Sequence, residues 1–299
     1  MSLYQYLGKS GLKVSRVILG AMSYGTPEWQ DLYSHGQSEQ VIGEAIKKYN
    51  IPRENLVILT KIYFGVTPNC PSNQPGMTAQ NDDDLPQSKY CKTWNLFDVL
   101  QIHRIDRSIP REEIMRALND VVESGKARYI GASSMAAWEF QQLQNIADRH
   151  GWHKFISMQN YFNLIYREEE HEMIPYCNYT GIGLIPWSPV ARGALTRPWG
   201  TRNTLREEKD AGLHMLVRSR DDNVDEEIVN RVEEISKKLG KSMAQVAIAW
   251  TLSKNMCPVV GLNKKERIDD AVEATKIKLA DDDLKYLEEP YLPRTRLEL

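Results

Sequence analysis

From Phe97 to Ser188, short β-rich apolar runs alternate with helix-length amphipathic stretches, and each run stops on a polar or aromatic side chain suited to chemistry. The runs read Phe97-Asp-Val-Leu-Gln-Ile-His103, Arg128-Tyr-Ile-Gly-Ala-Ser-Ser134, Phe155-Ile-Ser-Met-Gln159 and Gly183-Leu-Ile-Pro-Trp-Ser188. An earlier run, Leu56-Val-Ile-Leu-Thr-Lys61, has the same form. Strands separated by helical stretches call for a parallel sheet with crossover helices. In a (β/α)8 barrel the side chains just past the C-terminal strand ends face one mouth. Lys61, His103, Ser134, Gln159 and Trp187 would converge there from distant parts of the chain.

The 299 residues suit one such barrel, which needs roughly 250. The expected fold is therefore an α/β, TIM-type (β/α)8 barrel forming one domain over 1–299, preceded by an N-terminal hairpin from residues 4–8 and 13–20. Ser38 reads as the N-cap of a helix over 38–48. Further helices are expected over 110–124, 136–149, 168–178, 225–238, 242–254, 265–276 and 281–289. Two polar segments, 65–94 and 196–222, read as long loops. The strands so counted end at Gly20, Lys61, Gln101–Ile102, Ile130, Met158, Pro186 and Val260. That is seven where a closed barrel has eight, so the barrel is expected to be incomplete.

Formal net charge is −2 with 26 % charged residues and no basic patch, which argues against a nucleic-acid partner. The opening residues, Met-Ser-Leu-Tyr-Gln-Tyr, have no apolar core of the kind a secretory signal needs. No apolar run approaches the length of a membrane span. Cys70, Cys91, Cys177 and Cys257 lack metal-site spacing and read as free thiols in a reducing compartment. A cytoplasmic protein is expected, with no membrane, metal or nucleic-acid partner.

Seven further patterns occur in order: Leu32-Tyr33-Ser-His-Gly36-Gln-Ser38-Glu39, Leu-Thr-Lys61, Leu-Gln-Ile-His103-Arg-Ile-Asp106, Gly131-Ala-Ser-Ser134, Gln159-Asn-Tyr-Phe-Asn163, Pro186-Trp-Ser-Pro189 with Arg192-Gly193, and Val-Gly261-Leu-Asn263. Singly each is weak. Together, in this order, they resemble the aldo-keto reductase superfamily, most closely its fungal aryl-alcohol dehydrogenase-like branch. The resemblance implies an NADP-dependent oxidoreductase that reduces small aldehydes or ketones, or oxidises the matching alcohols. Tyr33 would be the general acid, helped by Lys61, and His103 would orient the carbonyl oxygen. Ser133, Ser134 and Gln159 match positions that bond the nicotinamide carboxamide, and Trp187 the aromatic that stacks on its ring. Ser188, Arg192 and Gly193 match the pyrophosphate loop. Lys264, Lys265 and Arg267 match the adenosine end, where cations favour the 2′-phosphate of NADP, and Asp270 stands where Glu is commoner.

Taken alone, these residues also have structural readings: Lys61 as a strand-end lysine, His103 as a bonded core histidine, Trp187 as packing, the basic cluster as a solvated helix start. Their joint order favours the functional one.

Two departures stand out. Members of the superfamily carry a helix and a strand ending in Asp-Thr-Ala before the Tyr motif, and that Asp pairs with the catalytic Lys. Here Tyr24-Gly-Thr-Pro-Glu-Trp-Gln-Asp31 runs straight into Leu32-Tyr33, leaving Glu28 and Asp31 as substitutes for the Asp. The helix before Leu96 is also missing. Such abrupt joins, with intact motif on both sides, look like sequence removed in blocks, as in a splice variant. Two alternatives follow: a catalytically impaired NADP-binding or regulatory protein of the same fold, and a polyketide ketone reductase of fungal secondary metabolism.

Overall fold

The computed structural model describes residues 2–24, 36–63, 97–219 and 223–297. Tyr33, Glu28, Asp31, Cys70, Cys91 and the segment 65–94 therefore lie outside the described residues.

The chain begins with an antiparallel hairpin, β1 (Tyr4–Tyr6) and β2 (Lys13–Ser15), with Tyr4 opposite Ser15. The arm expected over 13–20 is broken after Ser15. Ile18–Gly20 forms a separate strand, β3, which leaves the hairpin and pairs in parallel with β9 (Val259–Gly261). Gly8 turns the hairpin with φ +59, and a Cβ there would lie 2.3 Å from the Gly181 carbonyl oxygen. That close approach lets the Lys9 amide donate to the same oxygen at 2.7 Å. Leu7 and Val14 then pack on Ile185 and Cys257, with Ile18, Val57 and Leu59 around them.

The main sheet is parallel and runs in chain order: β4 (Leu59–Ile62), β5 (Phe97–Ile102), β6 (Ala127–Ser133), β7 (Phe155–Gln159) and β8 (Gly183–Leu184). Helices Arg111–Glu123 and Ala137–His150 cover its outer face, and Ile130, Ala132, Phe140, Leu143, Ile146 and Met158 close the core. The run expected over 183–187 is regular only at Gly183–Leu184, but its continuation still bonds sideways. The Ile185 amide donates to the Met158 carbonyl, the Cys257 amide to Leu184, and the Val259 amide to Pro186. A bridge between Trp187 and Val259 completes the link to β9.

Seven strands thus follow one another from β4 through β9 to β3. Among the described residues no ladder joins β3 to β4, which is where the eighth strand of a closed barrel would stand. The flanks have the exposure of uncovered edges: Leu19 of β3 is 52 % exposed and no residue of β4 is fully buried. Helix Gln37–Lys48 buries only Ser38 among its residues. Ser38 does not cap this helix. Gly36 occupies the cap position without a side-chain bond, and the Ser38 hydroxyl donates to the Ala21 carbonyl.

Two other expectations shift. The helix expected over 168–178 is a short 3-10 turn, Glu168–Glu170, and then helix Met173–Thr180. Pro175 explains the late start, because a proline is tolerated in a first helical turn and not in a helix interior. The segment 196–222, expected as a loop, contains helices Leu205–Lys209 and Ala211–Leu213 and a π-turn, His214–Arg218. Ion pairs organise it: Arg218 with Glu207, and Arg192 with the buried Asp210. Arg202 and Arg218 also lie over the Trp199 ring, at 4.9 and 4.4 Å from its centre. No described helix is long and apolar enough to cross a membrane.

Candidate active site at the C-terminal mouth

Register decides which side chains meet. Lys61 stands opposite Gln101, Gln101 opposite Gly131, and Gly131 opposite Ser157. Residues in register share a face, since side chains alternate along a strand. A Cβ on Gly131 would lie 2.5 Å from Ser157 Oγ and 3.0 Å from Gln101 Cγ, so this layer is tightly packed. Gln101 Oε1 and Ser157 Oγ are buried in it without hydrogen-bond partners. Two residues further on, at the strand ends, come His103, Ser133 and Gln159, the last two directly opposite each other. The structure therefore places Lys61, His103, Ser133 and Gln159 at one end of the sheet.

His103 extends the ladder by donating its amide to the Ile62 carbonyl at 2.9 Å. Its ring is pushed down to about 2, first by burial and then by the Lys61 and Arg104 charges. The imidazole is thus neutral at any physiological pH, with one donor and one acceptor nitrogen. Ser133 Oγ donates to the Gln159 carbonyl at 2.7 Å. The Gln159 side chain is buried, yet its amide makes no hydrogen bond with the described residues. A buried amide with unspent capacity suits a carboxamide ligand. The Trp187 indole donates to Ser134 Oγ at 3.3 Å, and its ring lies 4.6 Å from that of Tyr161.

The loop after Trp187 is strained. Ser188, Ala191 and Arg192 have φ of 55, 47 and 53, and Gly193 follows at 105. Non-glycine residues held at positive φ cost of order 1–3 kcal/mol each and cluster at ligand sites. Backbone that passes from right- to left-handed conformation also curls into an anion-binding concavity. Asn163 steadies the loop by donating to the Ser188 carbonyl at 3.2 Å. Arg192 lies against Gly212, where a Cβ would stand 2.7 Å from the guanidinium carbon, and donates to Asp210 from Nη2 at 2.6 Å.

Lys264, Lys265 and Arg267 all lie exposed at the start of helix Lys265–Ala274, directly after β9. Lys265 pairs with Asp269, and Arg267 donates to Asn263. Asp270 accepts from Gln245 at 3.3 Å and so ties this helix to helix Met243–Ser253. Arg197 is lowered from its ordinary value by burial, against the attraction of Glu207, and further by the nearby Arg218 and Arg267 charges. The 196–222 segment therefore adds cations to the same end of the site.

The chain matches the Aldo/keto reductase family over residues 21–291. It belongs to that family. It is 56 % identical to the versiconal hemiacetal acetate reductase of Aspergillus parasiticus, with 97 % of each chain covered. It is 46 % identical to a Schizosaccharomyces pombe protein named for aryl-alcohol dehydrogenase, covering 97 % of this chain and 96 % of that one. Among solved structures, a thermostable aldo-keto reductase, Tm1743, in complex with the inhibitor epalrestat superposes with a TM-score of 0.72 at 21 % identity, covering 97 % of this chain and 100 % of that one. This likeness supports the TIM-barrel fold. As an aldo-keto reductase the chain is an oxidoreductase of small carbonyl compounds that works with a nicotinamide cofactor.

The Aspergillus alignment extends over 334 positions and takes in 97 % of the 299 residues of this chain, about 290, so about 44 positions of that alignment have no counterpart here. That shortfall exceeds one strand-and-helix unit of roughly 30 residues.

Four contributors escaped the sequence reading. Asp210 and Gly212 hold Arg192, and neither stands in a motif. Asn160, next to Gln159, donates from Nδ2 to Glu169 Oε2 at 3.0 Å. Burial pushes the Glu169 carboxyl up to about 7, with Arg296 opposing and Glu168 adding. Unfolded, the same group ionises near 4.5. Between these values the folded chain keeps a proton that the unfolded chain has lost, so stability falls as pH rises through that window. Glu169→Gln, which keeps an acceptor for Asn160, is expected to raise stability at pH 8 by about 2–3 kcal/mol and to change it little at pH 4. Urea unfolding at both pH values checks this; equal effects at the two would refute the assignment.

Proposed function

We propose that this aldo-keto reductase is an NADP-dependent reductase of aryl-type aldehydes or ketones. The convergence of Lys61, neutral His103 and the unspent Gln159 amide at one mouth carries the reading. When bound, a reduced nicotinamide supplies hydride to the carbonyl carbon. Ser133, Ser134 and Gln159 would hold its carboxamide and Trp187 its ring face. Ser188, Arg192 and Gly193 would cradle the pyrophosphate. Lys264, Lys265 and Arg267, with Arg197 beside them, would favour a 2′-phosphate, with Asp270 at the adenosine end.

The proton side belongs to the chain itself. Free tyrosine titrates near 10, and a cation such as Lys61, if brought to Tyr33, would favour the phenolate and bring that value toward neutrality. His103 cannot take up a proton in the working range, so it serves as a donor that orients the carbonyl oxygen.

A second reading draws on the lack of a ladder between β3 and β4 among the described residues: a nucleotide-binding protein of this fold without turnover. The relatives' names keep aryl alcohols and a hemiacetal acetate among the substrate classes. Titrating NADPH by fluorescence, then adding benzaldehyde and following nicotinamide absorbance, separates the readings. Saturable binding with oxidation supports the reductase; binding alone supports the second reading; no binding refutes both. Gly212→Ala, which pushes Arg192 off Asp210, is expected to weaken NADPH binding about tenfold, roughly one charge-assisted bond. An unchanged affinity would remove Arg192 from the cofactor site.

A further inference from the structure

Beside Ser134 a cavity of about 450 Å³ opens between the start of helix Ala137–His150, the turn Glu168–Glu170 and the C-terminal tail. Trp138, Glu169, Arg296 and Leu297 form its walls, and Ser134 is shared with the candidate site. Its size lies within the range of small-molecule pockets.

The tail wall is held in place. The Arg294 amide donates to Glu168 at 2.7 Å, the Leu297 amide to Tyr166 Oη at 3.0 Å, and the Tyr291 hydroxyl to Glu168. Opposite it, Glu169 is 7 % exposed. Its Oε2 accepts from Asn160, which leaves Oε1 without a partner among the described residues. Asn160 Oδ1 is buried without a hydrogen bond as well. Arg296 lies close enough to act on the Glu169 charge, yet no ion pair joins them. A carboxyl and a guanidinium that face one cavity without meeting are placed to be bridged by a third group bearing both a donor and an acceptor. Trp138, 62 % exposed, offers an aromatic face at the rim.

We propose that this cavity is a specificity pocket for a hydroxylated aromatic ring. The ring lies against Trp138 and Leu297, one hydroxyl donates to Glu169, and a neighbouring oxygen accepts from Arg296. A carbonyl carried by that ring points toward Ser134 and the mouth. This last point rests on the reductase reading; binding of the ring does not.

Calorimetric titration of the full chain with 3,4-dihydroxybenzyl alcohol and with benzyl alcohol tests the pocket. The dihydroxylated ligand is expected to bind at least tenfold more tightly. Arg296→Ala, on the exposed tail, and Glu169→Gln should each bring the two affinities toward equality. Equal affinities in the native chain, or a preference that survives both substitutions, overturns the proposal. Preference without NADPH oxidation when 3,4-dihydroxybenzaldehyde is added supports the pocket and sinks the reductase reading alone.

Discussion

Grafting a family helix and its Asp-Thr-Ala strand between Asp31 and Leu32 is expected to raise turnover of an aryl aldehyde at least a hundredfold and to raise the melting temperature. Two separable losses would be repaired. The new strand would stand between β3 and β4, where no ladder joins the described residues and Leu19 is 52 % exposed. Covering two edges and their apolar side chains stabilises by burial at about 25 cal/mol per Å². The Asp would stand beside Lys61 and fix the direction of its ammonium toward the proton-donating group. Positioned acid–base groups contribute about 10²–10⁴ in rate. The same graft carrying Asn in place of that Asp should recover the melting temperature but little of the rate. Steady-state assays and thermal melts on both grafts decide the matter. A full rate recovery with Asn would show that Lys61 needs no carboxylate.

Arg294→Ala is expected to cost about 3–5 kcal/mol of stability, the range for removing one member of a buried pair. Asp225 is fully buried at the start of helix Asn223–Leu239, and Arg294, 10 % exposed, donates to both of its oxygens. Losing the guanidinium leaves a desolvated carboxylate and unpins the tail. The double variant Arg294→Met with Asp225→Leu should recover most of the loss, because it removes both charges together. Urea unfolding of the three proteins measures this, and a single-variant loss below about 1 kcal/mol would mean that the pair behaves as a surface bridge.

Much of the barrel was legible because each strand ended on a chemically distinctive residue. The register itself was not legible: Lys61 lies level with Gln101, Gly131 and Ser157, two residues short of the layer of His103, Ser133 and Gln159. Errors arose where local chemistry was overridden. Ser38 has the right type for a cap, but its hydroxyl is spent on the Ala21 carbonyl. Nothing at Arg16-Val17 signals that the chain leaves the hairpin, since β3 is drawn away by β9, far along the sequence. The 196–222 segment reads as a loop because its apolar stripe, Leu213, Leu216 and Val217, is short and sits among polar residues tied by Arg192–Asp210 and Arg218–Glu207. Pro175 is a signal in the chain for the later helix start at Met173. Asp210, Gly212 and Glu169 act through partners brought near only by folding, so no spacing in the chain announced them.

The pairing of Ile18 with Val259 also bears on how the protein is made. β3 is the first of the seven ring strands to leave the ribosome, yet its partner is the last to be translated. At about 5–20 residues per second it waits on the order of tens of seconds, its edge unsatisfied, while β4 to β8 assemble downstream. A nascent chain stalled just before Val259 would therefore be the species most in need of a chaperone, and most prone to capture another chain.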